Sequence, residues 1–310
     1  MILSAACKKF VKMKRASGLK YNAEERFFKQ FIDLSGDLSL SEISEDMVAS
    51  YISSGNANSQ TMCRRFFVLR LFFRWCIDRD YIQNMPMRYS LPASKSDFVP
   101  YIYSKDEIRK ILREALHCSC ASSPLLGETM QALLLTVYSC GLRLGEAITL
   151  RICDINFEQN EMFIKESKFR KSRILPFCDQ LSSYLITFFN KRKKYLPLPE
   201  QDKSAFFCTR TGNKIYGPAV DHLFQRIRNN CQITPVNRRI QPRIHDLRHS
   251  FAVHRLYDWY KSNLPVNDLL PHLSTYLGHK DLEDTKVYLT TTSELLHIVS
   301  EKFEQHTFSR

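Results

Sequence analysis

At 310 residues, with 44% hydrophobic and 25% charged positions, the chain has the composition of a globular protein with a real core and room for about two domains, so an intrinsically disordered chain is not the default reading. A formal charge of +13 and a pI near 9.3 favour a polyanionic partner; residues 1–98 hold 15 Lys+Arg against 10 Asp+Glu, and the remainder 30 against 22. No stretch approaches ~18 uninterrupted apolar residues, and MILSAACKKFVKMKR lacks a long apolar core before a cleavage site, so neither a membrane span nor a leader is expected and the chain is placed in the cytoplasm.

Residues 1 to about 96 read as an all-helical domain. Asn22 is positioned to cap a helix whose apolar stripe is Phe27, Phe28, Phe31 and Ile32, broken at Gly36 and Asp37. Ser41, Glu45 and the run Ile43, Met47, Val48, Tyr51, Ile52 mark a second helix, ended by the turn residues SSGNANSQ. A third runs from Thr61 to about Ile82, with Phe66, Leu69, Phe73 and Cys76 at helical spacing. Arg64, Arg70 and Arg74 lie on its other faces, either as a solvated rim or as contacts to DNA phosphates. Residues 85–104 carry three prolines and read as a linker, which places the domain boundary near Ser96 and the second domain at 97–310.

The second domain opens with Ser104 as N-cap, followed by Asp106 and Glu107 in the first turn. Residues 130–141 form a mostly apolar helix ending at Gly141, a natural C-cap. Strands are predicted at Glu161–Glu166, Ser172–Pro176 and Ala205–Thr209, the first two joined by a basic turn holding Lys168, Arg170 and Lys171. Helical pattern resumes after Pro218 and is broken by ITPVNRRIQPR. The fold class is therefore mainly α with a small antiparallel β-sheet.

Chemistry concentrates in QPRIHDLRHSFAVHRL, where His245 and Arg248 stand three apart near a helix start and share one face. Arg143 follows Gly141 directly, with Glu146 three residues on, either an ion-pair partner or a group that orients the arginine. Guanidinium keeps its charge and binds two oxygens at once, as a phosphodiester reaction needs. His279 and Tyr288 lie nine apart, and Asp281 is positioned to cap a new helix past Gly278. Among 14 tyrosines, Tyr276 and Tyr257 read as core residues. Ten cysteines are scattered without a C-x-x-C pair; His117, Cys118 and Cys120 lack a second ligand pair, so no metal site and no nucleotide fingerprint are predicted.

Arg143, Lys168, His245, Arg248, His279 and Tyr288, carried by TVYSCGLRLGEAITL, KESKFRKSRILPF, QPRIHDLRHSFAVHRL and LSTYLGHKDLEDTKVYLT, resemble in order and approximate spacing the catalytic domain of the tyrosine recombinase (phage integrase) family, over roughly Tyr101 to Thr292. The resemblance implies Tyr288 as nucleophile, His245 as a base for its proton, His279 holding the phosphate or assisting proton transfer, and Lys168 as general acid, with Lys165 and Lys171 as alternatives. Glu146 then supports the arginines, His249 supports packing, and Arg170, Lys171 and Arg173 contact the DNA backbone. It further implies a SAM-like core-binding domain, a two-domain C-shaped clamp on double-stranded DNA, a homo-tetramer, and accessory or sister recombinases as possible partners. No cofactor is implied, because cleavage through a 3′-phosphotyrosyl link retains the bond energy.

The tail, about 293–306, reads as an amphipathic helix that packs on its own domain or docks on another subunit. No additional domain is read before the first helical one, which favours a compact Xer-like or transposon-encoded recombinase of the prokaryotic cytoplasm. Integration, excision and transposition of a mobile element are the processes so implied. A type IB topoisomerase-like nicking-closing enzyme and a non-catalytic DNA-binding protein of the same fold are the competing readings.

Overall fold

The computed structural model describes residues 1–55, 59–87, 100–118, 125–165, 172–195, 204–234, 242–279 and 281–290. The chain divides into two compact units, Met1–Phe98 and Val99–Arg310.

The first unit is built on α1 (Leu3–Ala16), α2 (Asn22–Ser35), α3 (Glu45–Ser53) and α4 (Ser59–Ile77). α1 was not predicted, although Leu3, Ala6, Cys7, Phe10 and Val11 repeat at i, i+3, i+4, i+7 and i+8, and these five are the residues it buries. Its lysines and arginine dilute the apolar signal without disturbing the stripe. Asn22 is the first residue of α2, not its cap; Tyr21 precedes it at φ 49°, and the Asn22 side chain instead accepts from Arg15 at 3.0 Å. α4 stops at Ile77, short of the predicted Ile82, because Asp80 turns left-handed at φ 56° and the Tyr81 amide closes back on the Cys76 carbonyl at 2.9 Å. The core is aromatic: Phe10 meets Phe28 and Phe72 edge-on at 5.9 and 5.6 Å, and the buried Tyr51 anchors its hydroxyl on the Phe27 carbonyl at 2.7 Å.

The second unit contains α5 (Lys105–Ala115), α6 (Leu126–Ser139), α7 (Leu144–Ile148), strands β1 (Ile155–Asn156), β2 (Glu161–Ile164) and β3 (Arg173–Pro176), then α8 (Asp179–Tyr195), α9 (Gly217–Asn230), α10 (Asp246–Lys261), α11 (Val266–Leu277) and α12 (Glu283–Lys286). Ser104 caps α5 as predicted, within a reciprocal pair with Glu107. α6 buries Met130, Ala132, Leu133, Leu134 and Val137, so apolar residues surround it and it forms the centre of the unit. The sheet is antiparallel in the order β1-β2-β3, with Met162 opposite both Ile155 and Leu175. Met162, Ile164 and Leu175 face the core while Phe163 and Ile174 face out.

Residues 205–209 do not form the predicted strand; Ala205 bridges Arg151, and Cys208 bridges Lys214. Phe206 and Phe207 are both fully buried, which a two-residue side-chain period facing one core cannot arrange. Phe206 stacks on Phe189, and Phe207 packs against Phe188. α12 starts after Leu282 rather than from an Asp281 side-chain cap; Asp281 contributes its carbonyl to the Asp284 amide.

Candidate active site

Asp246 sets the start of α10. Fully buried in the first turn, where a carboxylate opposes the helix dipole, it accepts the Arg243 amide at 2.7 Å and the Arg243 guanidinium at 3.1 Å. This start directs Arg248 inward, where it is 1% exposed. Its two terminal nitrogens donate to the carbonyls of Gly141 and Leu277, both at 2.7 Å. These carbonyls close the carboxyl ends of α6 and α11, so the cation satisfies orphan acceptors at the negative ends of two helix dipoles. Gly141 permits the approach: it turns at φ +57°, and a Cβ there would meet Phe251 at 2.6 Å and Leu277 at 2.7 Å. Burial, followed by the neighbouring Arg143 charge, lowers the Arg248 pKa to about 10.

Glu146 holds two more guanidiniums. Its carboxylate accepts from Arg143 at 2.8 Å and from both terminal nitrogens of Arg173 at 3.1 and 3.0 Å, while Arg143 also reaches the Gly278 carbonyl at 3.0 Å. Burial alone would raise the Glu146 pKa; hydrogen bonding and charge from Arg173, then Arg143, outweigh it and hold the carboxyl down to about 2. Arg173 was expected on the DNA backbone, and here the expectation is corrected. Its side chain is 10% exposed, and its third nitrogen donates to the Tyr276 carbonyl at 2.9 Å, so its fork is committed within the fold.

Tyr288 sits on a 3-10 turn, Val287–Thr290, and is 3% exposed. Its hydroxyl makes a 2.9 Å hydrogen bond with Nδ1 of His249, and its ring centroid is 6.1 Å from that of His279. The imidazole hydrogen-bonded to the phenol is thus His249, assigned above to packing; the ring of His245, the expected base, meets that of His249 edge to face with centroids 4.9 Å apart. Nδ1 of His279 is held by the buried Thr285 hydroxyl at 2.7 Å. Burial raises the Tyr288 pKa, while Arg248 and Arg143 pull it down.

The structure therefore brings together Arg143, Glu146, Arg173, His245, Arg248, His249, His279 and Tyr288. Three guanidiniums face one carboxylate, an excess of cation suited to a bound phosphodiester. Lys168, Arg170 and Lys171 lie outside the described residues, as does the tail at 293–306. Lys165 is described, and its ammonium is 3.4 Å from the Asp154 carboxylate. Arg64, Arg70 and Arg74 are exposed on α4 of the first unit, with Arg64 3.7 Å from Glu24 and Arg74 3.5 Å from Asp78. Among the described residues no group of three or more metal-ligating side chains is assembled, and no helix is long and apolar enough to cross a membrane.

The histidines give the site a pH signature. Burial, followed by neighbouring positive or imidazole groups, lowers His245 and His249 from 6.5 to about 4 and His279 to about 3. Each is neutral when folded at pH 7 and binds a proton more readily when unfolded. Their stabilising contribution is present above 6.5 and is lost as pH falls from there through about 4, at up to about 1.4 kcal/mol per pH unit for each histidine. Glu146 stays ionised through that window. Urea denaturation of the intact chain should therefore show a lower midpoint at pH 5 than at pH 7.5, and an unchanged midpoint would contradict the neutral assignments.

A family model described as "Phage integrase family" matches residues 103–294. The integrase/recombinase y4rE of Sinorhizobium fredii is 32% identical over 257 residues, covering 83% of this chain and 80% of that protein. Among solved structures, the Tn1549 transposon integrase in complex with transposon right end DNA aligns over 100% of both chains, with a TM-score of 0.70 and 14% identity. A lambda integrase tetramer bound to a Holliday junction aligns over 91% of this chain and 78% of that one, with a TM-score of 0.66 and 18% identity.

Proposed function

The chain belongs to the phage integrase family, and from that premise we propose that it is a site-specific DNA recombinase that integrates, excises or transposes a mobile element through a 3′-phosphotyrosyl intermediate. The observation that carries this reading is the Tyr288 phenol, hydrogen-bonded to an imidazole and within the field of the Arg248 and Arg143 guanidiniums. A buried tyrosine needs a partner for its hydroxyl, which a backbone carbonyl supplies to Tyr51, but packing calls for no imidazole set among guanidiniums. A phosphoryl centre attacked by a phenol needs both, one for the proton and the other for the charge spread over its oxygens.

In the proposed reaction Arg143 and Arg248 bind the non-bridging oxygens and His279 supports the phosphate. The Tyr288 oxygen attacks phosphorus as the bond to the 5′-oxygen breaks, and Lys168 donates the proton that the leaving oxygen takes up. Glu146 and Arg173 fix Arg143 from behind. A partner strand's 5′-hydroxyl then reverses the attack, so no external energy source enters. Arg64, Arg70 and Arg74, with Arg170 and Lys171, contact duplex phosphates and set position more than sequence. Residues 1–96 act as the core-binding domain and 97–310 as the catalytic domain.

The solved lambda integrase tetramer on a Holliday junction supports a tetramer on DNA for this chain. The transposon integrase neighbour supports the mobile-element role, with the bacterial cytoplasm as its place of work and accessory or sister recombinases as further partners. The test is to incubate the intact chain, without metal, with nicked duplexes tiled from the DNA flanking its gene. An SDS-resistant adduct at one site, followed by strand exchange between two such sites, is expected. Relaxation of any supercoiled plasmid by a monomer would favour the nicking-closing reading. Salt-sensitive binding without an adduct on any duplex would favour the binding-only reading.

A further inference from the structure

We infer that His249, not His245, accepts the Tyr288 proton during strand cleavage and returns it during rejoining. The inference rests on the recombinase reading above and assigns a reacting group within that site. The geometry is direct: the phenol oxygen is 2.9 Å from Nδ1 of His249, inside the range for a proton donor and acceptor. A neutral imidazole carries one proton, so the phenol as donor requires an unprotonated Nδ1 and places the ring proton on Nε2. The two rings lie 5.5 Å apart between centroids; Tyr288 is buried on the turn after α12, and His249 is partly buried on α10. His279 is engaged at Nδ1 by Thr285, and His245 meets the edge of His249. Among the described residues, the charged groups facing the pair include Arg248, Arg143 and Asp284 around the phenol, and Arg248 and Arg243 around the imidazole.

The same surroundings explain why the pair rests without reacting. Burial, followed by the charges of Arg248 and Arg243, keeps His249 a weak base with a pKa lowered to about 4, and the phenol keeps its proton. A phosphodiester bound against Arg248 and Arg143 offsets that positive field and restores basicity to the imidazole. The arriving DNA is in this sense the switch.

The step balances. The Oη–P bond forms while the P–O5′ bond breaks, the phenol proton moves to Nδ1 of His249, and the 5′-oxygen takes a proton from the general acid. Rejoining runs each transfer backwards and leaves both groups as they began.

The test is single-turnover adduct formation on the nicked duplex that wild type cleaves, using wild type, His249→Ala, His249→Gln and His245→Gln. Gln keeps a hydrogen-bond acceptor at His249 but cannot take a proton. Both His249 variants should lose about 10²–10⁴-fold in rate while retaining DNA affinity, and His245→Gln should lose less. Added imidazole should restore the Ala variant, and the Gln variant's rate should climb with pH more steeply than wild type, because hydroxide must replace the missing base. If the Ala variant does not fold, the Gln pH profile decides. Near-parental cleavage by either His249 variant, or a loss that imidazole and raised pH both leave unchanged, overturns the inference. A wild type that forms no adduct on any duplex defeats the recombinase reading itself, a separate outcome.

Discussion

Tyr288→Phe is expected to bind DNA with the parent's affinity and salt dependence and to form no covalent adduct, a loss on the order of 10⁶ in rate, as when a nucleophile is removed elsewhere. The substitution removes one oxygen and leaves the ring that packs among Phe251, Leu256 and Leu277. It opens no cavity and gives up the hydrogen bond to His249, worth about 0.5–1.5 kcal/mol, together with the contact that the Arg248 guanidinium makes with the phenol oxygen. Its urea midpoint should therefore stay close to the parent's, which separates lost chemistry from lost folding. A different tyrosine is badly placed to substitute. The Tyr276 hydroxyl is bound to the Pro176 carbonyl at 3.0 Å, and burial drives its pKa strongly upward. An adduct that persists in Tyr288→Phe would assign the nucleophile elsewhere.

Local chemistry made much of the second unit legible in the sequence. Ser104 with Glu107, Gly141 at the end of α6, the alternation in β2 and β3, and the pattern after Pro218 each depend on neighbours within a few residues, and each formed the element it implied. What was not legible depends on distance along the chain. Arg173 reads as one more cation in a basic turn until Glu146, 27 positions away, takes up its fork. His245, the residue before α10, and His249, in its first turn, stand four positions apart, so spacing alone cannot say which of them reaches residue 288. That choice is made by the turn after α12, whose position the sequence does not encode locally. Residues 205–209 failed for a related reason: Phe206 and Phe207 are β-formers by type, but two adjacent buried rings serve packing against α8 rather than a ladder.

Arg248 should show the second large effect, and two substitutions divide its roles. Its guanidinium joins carbonyls that lie 107 and 29 residues from it, tying the ends of α6 and α11 to α10. Arg248→Ala orphans both acceptors in a buried place, at about 1–3 kcal/mol each, and removes a cation from the phosphate site, at about 10²–10³ in cleavage rate. Arg248→Lys keeps the charge but offers a point donor in place of a planar fork. The two carbonyl bonds use two of the five N–H groups of the guanidinium, and the remaining donors can face a phosphate oxygen while the fold stays tied. An ammonium has three donors on one atom and cannot span both carbonyls and a phosphate in that geometry. Lys should therefore recover part of the urea midpoint lost in Ala and little of the cleavage rate at saturating DNA. Parental cleavage by Arg248→Lys would mean that charge alone suffices at this position. Parental cleavage by Arg248→Ala, measured where the variant is still folded, would reduce Arg248 to a tie between helices and leave Arg143 to carry the phosphate.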